Sequence, residues 1–111
     1  MEEKRFASLA DIIPVEGIPN HFRSTLTYND DVMLCHFSVK KGVTVELHNH
    51  EAAQIGYILS GKINFFNEKG VMFTGKSGDS YAFKSKELHG CTALEDCTFI
   101  ECFTPARNEY K

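Results

Sequence analysis

The residues best suited to chemistry are three histidines and a glutamine: His48, His50, Gln54 and His89. His48 and His50 stand two positions apart, so on a β-strand both side chains point to the same face. If the chain turns near residues 51–53, Gln54 begins the paired strand and its side chain faces the same space as the two histidines. His89, at the start of a later strand, is a fourth candidate for that space. Three neutral imidazoles and an amide oxygen suit one divalent transition metal: Mn, Fe, Co, Ni or Zn. The alternatives are structural histidines, and a Gln54 that supports the ligands instead of binding the metal.

Glu101 alternates with Phe99 and Phe103 along the last predicted strand, so all three share one face. A carboxylate on an apolar inward face is costly to bury unless it is paired or used. Apolar walls would raise its pKa and suit it to moving a proton. The alternative is a glutamate at the mouth of a barrel, bridged to an arginine such as Arg23 or Arg107.

Arg107, in the C-terminal tail after Pro105, and Arg23 are candidates for holding a carboxylate-bearing substrate. A planar guanidinium binds a carboxylate through two parallel hydrogen bonds. The alternative for each is an ordinary solvated arginine. We therefore assign Glu101 and Arg107 to catalysis, and Arg23, Phe103 and Arg107 to substrate binding.

Five other reactive side chains are expected to be ordinary. His21 and His36 fit no motif, and Tyr81 is expected to pack. Cys91 is expected to be a small packed residue, since free cysteines are commonly buried. Glu46 shares the strand parity of His48, but we expect a bulge or the barrel rim to expose it.

Short β-strands must position these residues. Turn-forming Gly, Asn and Asp residues cut the chain into runs rich in Val, Ile, Phe, Tyr and Thr, a pattern typical of an antiparallel barrel or sandwich. Phe37, Phe99 and Phe103 are expected to face inward, and a helical turn with Ser8 as its cap is expected at residues 8–13. The predicted strands are 21–28, 32–39, 43–48, 54–59, 62–67, 71–74, 80–83, 88–94 and 98–103.

Two predicted strands, 32–39 and 98–103, are largely apolar on both faces. Such strands occur where little surface is left to water, or where the outer face meets a partner subunit. Gly56 shares the inward parity of Gln54 and Ile58. A glycine there is expected to leave room above the metal ligands.

The composition excludes several classes of protein. The chain has 111 residues and a net charge of −3, enough for one domain with a core of its own. The slight acidity argues against nucleic-acid binding, and no apolar run is long enough to span a membrane. The N-terminus lacks a signal-peptide pattern, so the cytoplasm is expected. No Cys-x-x-Cys pair occurs, and the four cysteines are expected to be reduced.

Two segments carry a family resemblance. Residues 42–61 read Gly-x5-His-x-His-x3-Gln-x6-Gly and resemble the first motif of the cupin family. Residues 78–91, with Gly-Asp before a strand and His-Gly-Cys after it, are similar to the second motif. Many cupins have Glu in place of Gln54. The usual Pro after the Gly-Asp strand is absent, so the loop before His89 is expected to be looser.

This resemblance implies an all-β fold, a single antiparallel jelly-roll barrel over residues 1–111, and a homodimer. It also implies that His48, His50, Gln54 and His89 bind one divalent metal. The ending Glu101-x-Phe103-x-Pro105-x-Arg107 resembles the single-domain cupins that ketonise 4,5-unsaturated uronates from pectin or alginate. That group also uses Gln at position 54, although its acidic residue is usually Asp.

The leading hypothesis is therefore a metal-dependent enzyme that ketonises or isomerises a small anionic sugar acid. Two alternatives remain open at this point: an Fe(II)-dependent cupin dioxygenase, and a non-catalytic cupin that binds or senses a small ligand. A cupin scaffold hosts many functions, so the fold by itself does not choose among them.

Overall fold

The computed structural model describes residues 2–111 of the chain. It contains ten β-strands and two short 3-10 turns. β-branched and aromatic residues form these strands because such side chains pack well on a pleated, half-buried surface. Tight turns join them, and Gly61 has a φ of 84° between two of the strands. The strands are β1 (Val15–Glu16), β2 (His21–Tyr28), β3 (Met33–Val39), β4 (Thr44–His48), β5 (Ala53–Ser60), β6 (Lys62–Asn67), β7 (Gly70–Lys76), β8 (Ser80–Phe83), β9 (His89–Ala93) and β10 (Cys97–Thr104).

The strands form two antiparallel sheets. One sheet has the order β1-β2-β3-β10-β5-β8, and the other has the order β4-β9-β6-β7. Late strands insert between early ones, as in a jelly roll: β10 lies between β3 and β5, and β9 lies between β4 and β6. The predicted all-β, antiparallel jelly-roll barrel is confirmed.

The sequence pattern located nearly all of these elements. The nine predicted strands correspond to β2–β10, and their ends differ by at most two residues. The two-residue β1 is too short to show an alternating sequence pattern, and it is recognised as a strand only by its pairing with β2. The predicted N-terminal turn is the 3-10 turn Leu9–Asp11; Ser8 takes the cap position but makes no side-chain hydrogen bond there. No helix among residues 2–111 is long and apolar enough to cross a bilayer.

The core lies between the two sheets. The inward faces of β3 and β10 are buried, and Phe37, Phe99 and Phe103 lie there as predicted. The rings of Phe37 and Phe99 stack with their centroids 5.2 Å apart. These side chains form an apolar wall beside the candidate site.

The opposite face of the six-stranded sheet carries an apolar patch on β3, β10 and β5, beside polar residues such as His36, Ser38 and Thr98. Leu34 on β3 and Cys102 on β10 pair directly, and Cys102 also pairs with Ile55 on β5. Ile100 pairs with Tyr57 in the same way, one pleat further along. These five residues form what we call the outer apolar face, and Ile55 and Tyr57 are among its exposed members.

Gly56 does not leave the free space expected from the sequence. It pairs with Tyr81 across β5 and β8, and a Cβ atom built on it would lie 2.1 Å from Cζ of the Tyr81 ring. The tyrosine ring therefore occupies the room that the missing side chain provides. Tyr81 is buried there, with its ring centroid 4.2 Å from that of Phe65.

We predict that Gly56→Ala destabilises the fold because the added methyl group must displace the Tyr81 ring. The expected loss in free energy of unfolding is about 1–3 kcal/mol, as for other overpacked cores. Urea unfolding measures it. Gly17→Ala is the control, since no atom lies within 4 Å of a Cβ at that position. Equal stability of the two variants would contradict the prediction.

Candidate active site

A cavity of about 340 Å³ lies between the two sheets, and both aromatic and polar side chains line it. The aromatic residues of the core on its wall include Phe37, Phe65, Phe99 and Phe103. The polar residues on its wall include His48, His89, Gln54, Glu101, Arg23 and Arg107. This volume lies within the range of small-molecule sites in proteins.

Three histidines meet beside the cavity, as the sequence predicts: His48 and His89 line it, and His50 packs against both of their rings. His48 is the last residue of β4 and pairs with His89, the first residue of β9, while His50 follows β4 by two residues. Each Nδ1 atom lies 2.6–2.8 Å from a backbone carbonyl oxygen: that of His48 from Glu46, that of His50 from Ala52, and that of His89 from Glu87. A carbonyl only accepts hydrogen bonds, so Nδ1 carries the proton and Nε2 keeps its lone pair.

The histidine nitrogens can share one metal ion. One ligand nitrogen from each of His48, His50 and His89 lies within 4.8 Å of the others. Nε2 of His50 and Nε2 of His89 are buried without a hydrogen-bond partner. Burial is the main cause that lowers the pKa of both rings and favours the neutral form that binds metals. These residues therefore fit a divalent transition metal, and the fixed Nδ1 protons set the orientation of each ring.

Gln54 is 6% exposed and lies between the histidines and Glu101. Its Nε2 donates a hydrogen bond to Oε2 of Glu101 over 3.0 Å. A hydrogen-bonding effect of Gln54 raises the pKa of His50, opposing the larger effect of burial. The amide thus holds one oxygen of Glu101, and its coordination of a metal stays a prediction.

Glu101 is a buried carboxyl group with two donors on one oxygen. It is 8% exposed, and the Tyr81 hydroxyl donates to Oε2 over 2.5 Å, beside the Gln54 bond to the same atom. Burial raises the pKa of Glu101 to about 7, although the Tyr81 bond, the Arg107 charge and the Gln54 bond each lower it. No hydrogen bond within residues 2–111 reaches Oε1. That oxygen is therefore available to a molecule bound in the cavity.

Tyr81 is the site residue that the sequence interpretation missed. It packs in the core as expected, but its hydroxyl also holds Glu101. Burial, followed by the charge of Glu101, raises the pKa of Tyr81 far above its usual value, so it remains a donor. The available signal was Gly56, since a glycine inside a strand often marks the close approach of another group.

Arg23 and Arg107 both reach the cavity, and neither forms an ion pair with Glu101. The Arg107 side chain lies 3.7 Å from the exposed Glu109, and its guanidinium is 5.3 Å from the Phe103 ring. Nε of each arginine is buried without a hydrogen-bond partner. Two cationic groups therefore line the cavity, each with an unpaired Nε donor.

His21 is a residue of β2, and its interpretation as an ordinary strand or surface residue stays a prediction. His21 lines the cavity and packs edge-on against Phe37, and burial lowers its pKa. Cys91 also lines the cavity as a free thiol whose pKa burial raises to about 12. Glu46 is exposed, since the pairing of β4 with β9 is irregular between Val45 and His48.

The loop before His89 is held in place despite the missing proline. The backbone N–H of Lys86 donates to the carbonyl oxygen of His50 over 2.8 Å. The N–H of Lys84 donates to a carboxylate oxygen of Glu87, whose own carbonyl accepts from His89. These bonds connect the loop directly to two histidines of the site.

Comparison with known proteins agrees with this fold. The sequence model of the family described as Cupin domain matches residues 35–103. The pectin degradation protein KdgF of Dickeya dadantii is 30% identical over 92 residues, which cover 79% of this chain and 81% of that protein. The chain therefore belongs to the cupin family, within the group that includes pectin degradation proteins.

Solved structures show the same architecture. The structure of KdgF from Halomonas sp. has a TM-score of 0.88 at 25% identity, covering 96% of this chain and 100% of the other. An RmlC-like cupin from Shewanella frigidimarina has a TM-score of 0.92 and covers both chains completely, at 20% identity. The second likeness concerns the fold alone.

We predict that the double variant His48→Ala/His50→Ala loses bound metal. Two of three neutral nitrogens disappear, and a single imidazole does not retain the ion through purification. Mass spectrometry on protein without a histidine tag is expected to find about one equivalent of a transition metal in the wild type. His36→Ala, a half-buried histidine outside the site, is the control. A folded double variant that keeps its metal would contradict the prediction.

Proposed function

We propose that this protein is a metal-dependent enzyme that ketonises a small unsaturated sugar acid. The observation that carries the proposal is a buried carboxyl group, Glu101, with one free oxygen beside a cavity that is lined by two arginines and by two members of the three-histidine group. The name of the Dickeya dadantii relative supports it, because pectin is built from uronates and its degradation yields small sugar acids.

The histidine group and Gln54 would hold one divalent metal; Mn, Fe, Co, Ni and Zn all suit such ligands. When bound, that ion supplies Lewis acidity to a substrate oxygen. The residues that would hold it are His48, His50, His89 and the oxygen of Gln54. Its donors are all neutral, so the full divalent charge would act on an anionic substrate.

Arg23 and Arg107 would bind the substrate carboxylate. Each has an unused Nε–H beside the cavity, and the Nε edge of a guanidinium can give two parallel hydrogen bonds to a carboxylate. Phe103 would pack against one face of the sugar ring, since it lines the cavity next to Arg107.

Glu101 would move the proton. In the ring-opened enol of a 4,5-unsaturated uronate, Oε1 of Glu101 gives its proton to C4 while the C5–O bond becomes a carbonyl. The enol hydroxyl proton then returns to the carboxylate, so the reaction is an isomerisation with no atom gained or lost. Tyr81 and Gln54 hold Oε2 throughout, which keeps Oε1 directed at the substrate.

We predict that Glu101→Gln lowers kcat on 4,5-unsaturated galacturonate by about 10²–10⁴-fold, because an amide cannot donate the proton. In D₂O the wild type is expected to place one deuterium at C4 with a single stereochemistry, which NMR detects. Glu46→Gln, an exposed carboxylate at the cavity wall, is the matched control. A loss below roughly tenfold in Glu101→Gln would remove it from proton transfer.

We also propose that two copies of the chain associate through the outer apolar face. That face is contiguous over β3, β10 and β5 and includes exposed Ile55 and Tyr57. Exposed apolar patches of this kind commonly mark protein interfaces. A cytoplasmic location also remains a proposal; the four unpaired cysteines suit a reducing compartment.

We predict that Ile55→Lys converts a dimer into a monomer. A lysine on a two-fold interface would bury an unpaired charge from each copy. Val71→Lys on the other sheet is a closely matched control, since Val71 is 60% exposed and Ile55 is 59% exposed. Light scattering gives the mass. A wild type that is monomeric, or an Ile55→Lys dimer, would contradict the proposal.

A further inference from the structure

The C-terminal tail folds back onto the cavity and places one aromatic ring against both cavity arginines. Cζ of Arg23 lies 3.9 Å from the centroid of the Tyr110 ring, and Cζ of Arg107 lies 4.1 Å from the same centroid. The ring also meets Phe103 edge-on, with 5.8 Å between centroids. Tyr110 itself lines the cavity.

Several bonds hold the tail in this position. The hydroxyl of Thr25 donates to the carbonyl oxygen of Tyr110 over 2.7 Å. Nζ of Lys111 lies 3.2 Å from a carboxylate oxygen of Asp30, and the Lys111 side chain is only 7% exposed. The backbone N–H of Ala106 donates to the carbonyl of Asp30 at the start of the tail. The tail is thus fixed to β2 and to the turn that follows it.

Two arginines near one cavity need such support. Their charges repel each other, and each long side chain loses rotamer freedom when it is held in one orientation. Stacking on an aromatic face offsets both costs and leaves the N–H groups at the guanidinium edge free. The Nε atoms of Arg23 and Arg107 are both buried, and neither has a hydrogen-bond partner.

We propose that Tyr110 is a positioning residue that holds Arg23 and Arg107 as a two-armed clamp for the substrate carboxylate. The proposal rests on the assignment of these arginines to carboxylate binding. The C-terminal tail is then part of the substrate site, and Tyr110 sets the affinity for the acid group without touching the reacting atoms. A tail that only covers the core would instead change stability, with no preference for charged ligands.

Binding of D-galacturonate and D-galactose separates these roles, because the two sugars differ in the carboxylate. Calorimetric titration would compare the wild type, Tyr110→Leu and Tyr110→Phe. Removing the ring is expected to weaken galacturonate binding roughly tenfold and to leave galactose unchanged. Restoring a ring with Phe is expected to return galacturonate affinity to within about twofold of the wild type. Asn108→Ala, an exposed residue of the same turn, is the control.

Kinetics on 4,5-unsaturated galacturonate give a second readout. Tyr110→Leu is expected to raise KM about tenfold with kcat within roughly threefold, as for a residue that acts through binding. A wild type that binds galacturonate without turning over the unsaturated substrate would reject the proposed reaction and leave the clamp standing.

Three results would overturn the clamp. One is equal galacturonate affinity in Tyr110→Leu and the wild type. Another is an equal loss for galactose, which would mean general damage to the cavity. The third is a wild type that binds galacturonate no better than galactose. Thermal melting of each variant identifies a folding defect, and Tyr110→Phe tests the ring in a variant of nearly the same size.

Discussion

A carboxyl group buried in the apolar middle of a sheet costs several kcal/mol unless it is neutral or fully hydrogen-bonded. Glu101 is in this position, between two buried phenylalanines of β10. The fold meets the cost with two donors, Tyr81 and Gln54, on one oxygen. Tyr81 reaches it because Gly56 lacks a side chain. Residues of three neighbouring strands, β5, β8 and β10, therefore meet at one buried acid.

The histidines are oriented by backbone atoms instead of by one another. A carbonyl oxygen near each ring fixes the proton on Nδ1, and the lone pairs on Nε2 turn toward a common point. Two of those carbonyls lie two residues before their histidine and one lies two residues after it. The site is thus set by local chain geometry at the ends of β4 and β9, and the pairing of His48 with His89 brings the two segments together.

The charge of the cavity differs from that of the chain. The whole protein carries a net charge of −3, but the cavity wall has two arginines and two carboxyl groups, the exposed Glu46 and the buried Glu101, whose pKa burial raises to about 7. An acidic protein with a cationic pocket is suited to a small anion, because field lines concentrate in a low-dielectric cleft. The C-terminal tail contributes to this pocket by holding the two arginines. Binding of an anion therefore depends on residues that are far apart in the sequence.

The sequence by itself determined the strands, the inward aromatic residues and the histidine set, because period-2 alternation and the spacing of His48 and His50 are local properties. Only the tertiary structure decided what surrounds Glu101. Tyr81 and Gly56 are 25 residues apart and meet through the pairing of β5 with β8, and Tyr110 meets Arg23 only when the tail folds back. Contacts of this kind depend on strand order and register. A single sequence records which residues alternate along a strand, but not which strand lies beside it.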